Sequence, residues 1–246
     1  MTNNEHLDPN FKNLYDEVQK TCKKFSDKPC LGVREKLGVE EELQPNGKYL
    51  KKLTLKNEYA WSSYTATIEK MNSVSNGLLF QGLKSNDNIV LFMETRAEWL
   101  ITAFSCFRIK VPVVTLYATL GVEALSFGVN QTETKVLVTS GDCLEKLGSI
   151  IGEIPTVTHV VVVCDQVNSS GYEKFKALAA KHEKKVLTFN EIVEDGQNNP
   201  VITDFQTPEK NDLAIIMYTS GSTGNPKVNL KSEEIDRDNV LPTVLV

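Results

Sequence analysis

Residues Tyr218 to Lys227 (Tyr-Thr-Ser-Gly-Ser-Thr-Gly-Asn-Pro-Lys) bring hydroxyls, two glycines and a lysine into one short stretch. Polyphosphate binding asks for this mixture. Glycine lets backbone N–H groups approach an anion, hydroxyls donate hydrogen bonds to its oxygens, and an ammonium balances its charge. The alternative is a solvated Ser/Gly loop that merely closes a strand. The full stretch, placed directly after the apolar run Leu213 to Met217, favours phosphate binding over that alternative. Two familiar phosphate loops do not fit. A Walker A loop has lysine directly after its second glycine, whereas Asn225-Pro226 intervenes here. A dinucleotide-binding turn follows the first strand of its unit, and this stretch follows the last expected one.

Other chemistry-bearing residues are weaker candidates. Glu94, Arg96 and Glu98 follow the expected strand Ile89 to Met93. Helix-end charges and an exposed salt bridge are preferred there over a site. Trp99 reads as core, and Tyr117 and Thr119, after the run Val113 to Leu116, as residues shaping a cleft. His159 and His182 have no partner constellation. Five scattered cysteines (Cys22, Cys30, Cys106, Cys143 and Cys164) contain no CxxC pair, which argues against a disulfide framework or a zinc site. No metal ligands are assigned. Cys106 and Cys164 lie in apolar stretches, as small core residues do.

The elements that must position these groups alternate. Helices are expected over residues 11–25, from Ser62 or Ser63 to Gly82, and over 97–108, 122–130, 143–154 and 172–182, each from apolar residues at helical spacing. Between them lie unbroken apolar runs at Ile89–Met93, Val113–Leu116, Val136–Val138, Val160–Val163, Val186–Phe189 and Leu213–Met217. Strands that are apolar on both faces belong to a parallel sheet covered on both sides. The fold class is therefore α/β, a mostly parallel sheet with helices on both faces. In such sheets ligands sit beyond the carboxyl ends of the strands. Residues 31–61 read as irregular, with a hairpin about the turn Gln44-Pro45-Asn46-Gly47, and Glu194 to Asn211 as a polar connection. Three regions result: 1–60, an amino-terminal helix and hairpin; 61–227, the α/β part ending in the phosphate stretch; and 228–246, a tail expected to be disordered.

Composition bounds the partners. The 246 residues are 41% hydrophobic and 24% charged, with 27 Lys and Arg against 32 Asp and Glu for a net charge of −5. About 150 residues per domain gives one to two domains. Mild acidity without clustered Lys and Arg argues against nucleic acid. Met1 to Asn10 lacks a signal-peptide core, and no apolar run approaches the roughly 20 residues of a transmembrane helix. A cytosolic chain is expected.

Tyr218 to Lys227 resembles the signature of adenylate-forming enzymes, the superfamily of acyl-CoA synthetases, luciferases and peptide-synthetase adenylation domains. Glu94-Thr95-Arg96-Ala97-Glu98-Trp99 and Val114 to Gly121 are similar to segments of long-chain fatty-acid CoA ligases. Gln44-Pro45-Asn46-Gly47-Lys48 resembles the eukaryotic branch that prefers polyunsaturated substrates such as arachidonate. The likeness runs from about Asn13 to Lys227 and implies the amino-terminal part of that fold. It implies an enzyme that joins ATP, with Mg²⁺, to a long-chain fatty acid as an acyl-adenylate and then transfers the acyl group to coenzyme A. Ser220, Ser222, Thr223 and Lys227 are assigned to the phosphates, Gly221 and Gly224 to loop geometry, and Thr219 to support. The pyrophosphate leaving group gathers negative charge that these groups stabilise. Residues after Lys227 depart from the family pattern. The expectation is thus a truncated form, catalytically incomplete alone, with a non-catalytic nucleotide-binding or regulatory module, pairing with the full-length ligase, as the alternative. Endoplasmic reticulum or lipid-droplet association is implied by the resemblance only.

Overall fold

The structure is a computed structural model that describes residues 12–45, 47, 49–164, 169–201, 206–219 and 227–232. Helix α1 (Leu14–Lys24) starts where Asn13 accepts a hydrogen bond from the Asp16 backbone N–H, with acidic residues in its first turn and Lys23 and Lys24 in its last. These charges complement the helix dipole. An antiparallel ribbon follows, β1 (Pro29–Leu43) and β2 (Tyr49–Ser63), forming a two-stranded sheet of its own. Both strands have 15 residues, so the expected hairpin is much longer than short runs about a turn. The expected boundary at residue 60 falls inside β2. Ser63 then caps α2 (Tyr64–Phe80), its side chain accepting from the Ala66 backbone N–H.

The remaining strands form one seven-stranded sheet. They are β3 (Ile89–Phe92), β4 (Val113–Leu116), β5 (Val136–Ser140), β6 (His159–Val163), β7 (Lys185–Thr188), β8 (Leu213–Thr219) and β9 (Lys227–Ser232), in the order β7-β6-β5-β3-β4-β8-β9. Every pairing is parallel except β8 with β9. The chain moves from β3 to β4 on one side and then crosses to β5 on the other. The strand order therefore reverses between β3 and β5, the switch point of an open α/β sheet.

Helices cover both faces. Residues alternate along the strands, so Ile89 and Leu91 join one core and Val90 and Phe92 the other. The first core takes in α2, α3 (Ala97–Arg108) and α7 (Phe189–Asn198). The second takes in α4 (Val122–Gln131), α5 (Leu144–Ile150) and α6 (Ser169–Ala180). This is the expected architecture, with two differences. Residues 189–198 form a helix where a strand end and a polar connection were expected. Thr188 opens it with a capping box, accepting from the Glu191 backbone N–H while Glu191 accepts from the Thr188 N–H. Second, Lys227–Ser232 is a strand, so the start of the region assigned to a disordered tail is part of the sheet, and β8 is not its edge. The physical reason is the free hydrogen-bonding edge of β8, which β9 satisfies. No helix among the described residues is long and apolar enough to cross a membrane.

Candidate functional site at the carboxyl edge of the sheet

The candidate phosphate stretch is flanked by two strands in register. Thr219, the last residue of β8, pairs with Lys227, the first of β9. The two ends of the stretch are thus held side by side as a hairpin. Ser220, Gly221, Ser222, Thr223 and Gly224 lie outside the described residues, as do the side-chain positions of Thr219 and Lys227. What the structure gives is the frame. Thr115 of β4 pairs with Met217, so β8 leaves the sheet beside the carboxyl end of β4. Tyr218 is 2% exposed, and its hydroxyl donates to Gln131 Oε1 at 2.7 Å on α4. Burial raises its pKa above the ordinary phenol value. An inward-facing tyrosine therefore anchors the strand one residue before Thr219.

The same edge carries the other strand exits. Thr139 Oγ1 donates to Phe92 O at 2.8 Å, tying β5 to β3. Ser140 Oγ donates to Glu94 Oε2 at 2.7 Å, and the Cys143 thiol lies 3.6 Å from Glu94 Oε1. Burial, with the Glu94 carboxylate adding to it, pushes that thiol up to about 11. Lys146 of α5 donates to Ala118 O at 2.6 Å and Leu120 O at 2.8 Å, pinning the turn after β4. Its ammonium also sits 5.8 Å from the Phe92 ring centroid. Tyr117, in this turn, stays exposed. Glu94 and Tyr117 follow the ends of β3 and β4 at this edge.

Several sequence candidates resolve as structure. Arg96 Nε and Glu98 Oε2 form an ion pair at 2.7 Å. Their side chains are only 13% and 21% exposed, so the pair is mostly buried, not the exposed bridge expected. Arg96 is the N-cap residue of α3, and Glu98 lies in its first turn. Trp99 packs on the first core. His159 Nδ1 lies 2.9 Å from Thr158 Oγ1, and burial, then Lys185, lowers its pKa. His182 lies against Gly152, where a Cβ would meet its ring at 2.8 Å. Among the described residues no group of three His, Cys, Asp or Glu could hold a metal ion. Lys146 was not foreseen. It reads as one more surface lysine on an amphipathic helix, and its carbonyl partners lie more than a helix away in sequence.

The open α/β sheet and its covering helices match the fold of solved adenylation domains. The adenylation domain of a carboxylate reductase from Mycobacterium chelonae superposes with a TM-score of 0.77 at 18% identity, covering 92% of this chain and 35% of that one. A didomain of the carboxylic acid reductase of Segniliparus rugosus, in complex with AMP, gives 0.75 at 20% identity, covering 92% and 32%. At such identities the likeness shows the fold alone.

In sequence, long chain acyl-CoA synthetase 8 of Arabidopsis thaliana is 36% identical over 217 residues, 85% of this chain and 28% of the relative. Fatty acyl-CoA synthetase A of Dictyostelium discoideum is 32% identical over 214 residues, 87% and 28%. The chain spans less than a third of the length of these curated relatives. The family described as AMP-binding enzyme matches residues 40–232, and the chain belongs to that family. The match continues past Lys227, where the likeness was expected to stop, and ends with β9.

Proposed function

We propose that this chain holds the phosphates of ATP with Thr219 to Lys227 and serves the adenylation step of a long-chain fatty acid–CoA ligase. In that step a fatty-acid carboxylate displaces pyrophosphate from ATP, delivered with Mg²⁺, to give an acyl-adenylate. Coenzyme A then displaces AMP. The observation that supports this reading is the register of Thr219 against Lys227 at the carboxyl edge of the sheet. It brings both ends of a stretch rich in hydroxyls and N–H groups to one point, anchored from below by Tyr218. Ser220, Ser222 and Thr223 donate to phosphate oxygens, Gly221 and Gly224 leave the backbone open to them, and the Lys227 ammonium opposes the charge that grows on the leaving pyrophosphate. The names of the Arabidopsis and Dictyostelium relatives support a long acyl chain. A polyunsaturated preference rests on Gln44 to Lys48, which lies in the β1–β2 turn.

Equilibrium dialysis with ATP tests the reading. Lys227→Ala should weaken binding about 10- to 100-fold, the loss of a charge-assisted hydrogen bond worth about 1.5–3 kcal/mol. Lys185→Ala, at the far side of the sheet, should leave it unchanged. Absence of ATP binding, or equal affinity in Lys227→Ala, overturns the assignment. Thioester formation from radiolabelled palmitate and arachidonate, with ATP and coenzyme A, reads the remaining steps. Nucleotide binding without thioester formation would favour the second reading, a nucleotide-binding module. It would direct attention to co-purification with a full-length ligase.

A further inference from the structure

Two lysines use their ammonium groups in the same way at opposite ends of the strands. Lys184, directly before β7, donates to Ile154 O at 2.9 Å and Val157 O at 2.8 Å. It sits at the amino end of the sheet, away from the end where open α/β sheets bind ligands. Lys146 of α5 donates to Ala118 O and Leu120 O at the carboxyl end. A further bond, from the Leu120 N–H to Tyr117 O at 2.9 Å, closes the turn that carries both acceptors. Ala118 and Leu120 pack on the second core, while Tyr117 and Thr119 are exposed.

That turn stands beside the candidate phosphate stretch. Thr115 of β4 is registered with Met217 of β8, so two residues further on Tyr117 reaches the level of Thr219. Neighbouring strands lie about 4.8 Å apart, which makes the turn a side wall of the stretch where it leaves β8. The two exits are also joined through α4. This helix runs from its N-cap, Gly121, at the end of the turn to Gln131, which accepts from the Tyr218 hydroxyl. Tyr218 thus holds one exit and Lys146 the other. A charged donor shared by two carbonyls of one turn restrains backbone that would otherwise have to be ordered when a ligand binds.

We propose that Lys146 is a positioning residue for nucleotide binding, fixing the turn after β4 as the wall of the phosphate stretch; this rests on the assignment of Thr219 to Lys227 to the phosphates. Equilibrium dialysis with ATP, paired with urea denaturation, tests it. Lys146→Met keeps the apolar stem and should weaken ATP binding about 3- to 10-fold, the cost of ordering the turn on binding. Lys146→Arg, which can still donate to both carbonyls, should restore it. Lys184→Met loses the same kind of clamp at the opposite end. Both Met variants should unfold at lower urea, but only Lys146→Met should lose affinity, a split that a merely structural role would not give. Unchanged affinity in Lys146→Met, equal losses in the two Met variants, or no rescue by arginine overturns the proposal. Lys227→Ala, measured alongside, separates the two assignments. If it is weakened while Lys146→Met is not, the phosphate stretch stands and the role of Lys146 falls. If the unaltered chain takes up no ATP, or Lys227→Ala binds equally, both fall.

Discussion

Tyr218 shows how one side chain can set the position of its neighbours. Its ring fills the second core, and its hydroxyl is tied to Gln131 on α4. Tyr218→Phe keeps the ring and leaves a carboxamide oxygen without its donor. A loss of about 1 kcal/mol is expected in urea denaturation, with the sheet intact by circular dichroism. Two buried thiols give a pH prediction at the same scale. Cys106 is fully buried, and burial drives its thiol far above the usual range. Cys143 is pushed up to about 11, chiefly by burial. Below about pH 8.5 both thiols are protonated in the folded and unfolded chains, and their contribution is whole. As pH rises further, the unfolded chain gives up protons that the folded chain keeps. Stability then falls by up to about 1.4 kcal/mol per pH unit for each thiol. Urea midpoints measured from pH 8 to 10.5 should decline, and the decline should be shallower in Cys106→Ala. Parallel declines in the two proteins would remove the thiol explanation.

Among the elements, the contact of α2 with α7 is made by backbone. A Cβ on Gly196 would meet Ser73 O at 1.7 Å, and one on Gly77 would meet Ile192 O at 2.0 Å. Neither obstacle is a flexible side-chain end, so the helices would have to move apart. Gly196→Ala should cost at least the 1–3 kcal/mol typical of overpacking, despite alanine's better helix propensity. Thr188→Ala removes only the cap of α7 and should cost about 1 kcal/mol. Chemical denaturation that ranks them in the opposite order would contradict this close crossing. The same helix marks where sequence reading falls short. Ile89 to Phe92, Val113 to Leu116 and Val160 to Val163 are apolar on both faces, and that alone signals buried parallel strands. The helix 189–198 buries only Phe189, Ile192 and Gly196, a stripe of two short turns that is easily passed over, although Thr188 and Glu191 are a readable start signal. Val228-Asn229-Leu230-Lys231 gives no such signal. An edge strand with one apolar side looks like a loop until its partner, β8, is known. The candidate phosphate stretch is readable as a motif because its residues are contiguous in sequence. The pinning of the β4 exit by Lys146 is not, because it joins residues distant in sequence.

At the scale of the whole molecule, stability is uneven. Strands β3 and β5 are buried on both sides, while the distal ribbon is solvated on both. Limited trypsin digestion should therefore cut first near Lys36, Lys52 and Lys56, and amide exchange should be slowest in β3 and β5. The strand order also sets a sequence of assembly. Val113 and Ile215 are partners across β4 and β8, yet about 100 residues separate them along the chain. The β3–β4 unit is closed by a single short helix, so during synthesis it can form while β8 is still unmade. The β8–β9 pair is consequently a late arrival, docking onto a scaffold that waits for it. In stopped-flow refolding, the ability to take up nucleotide should lag behind the burst of secondary structure.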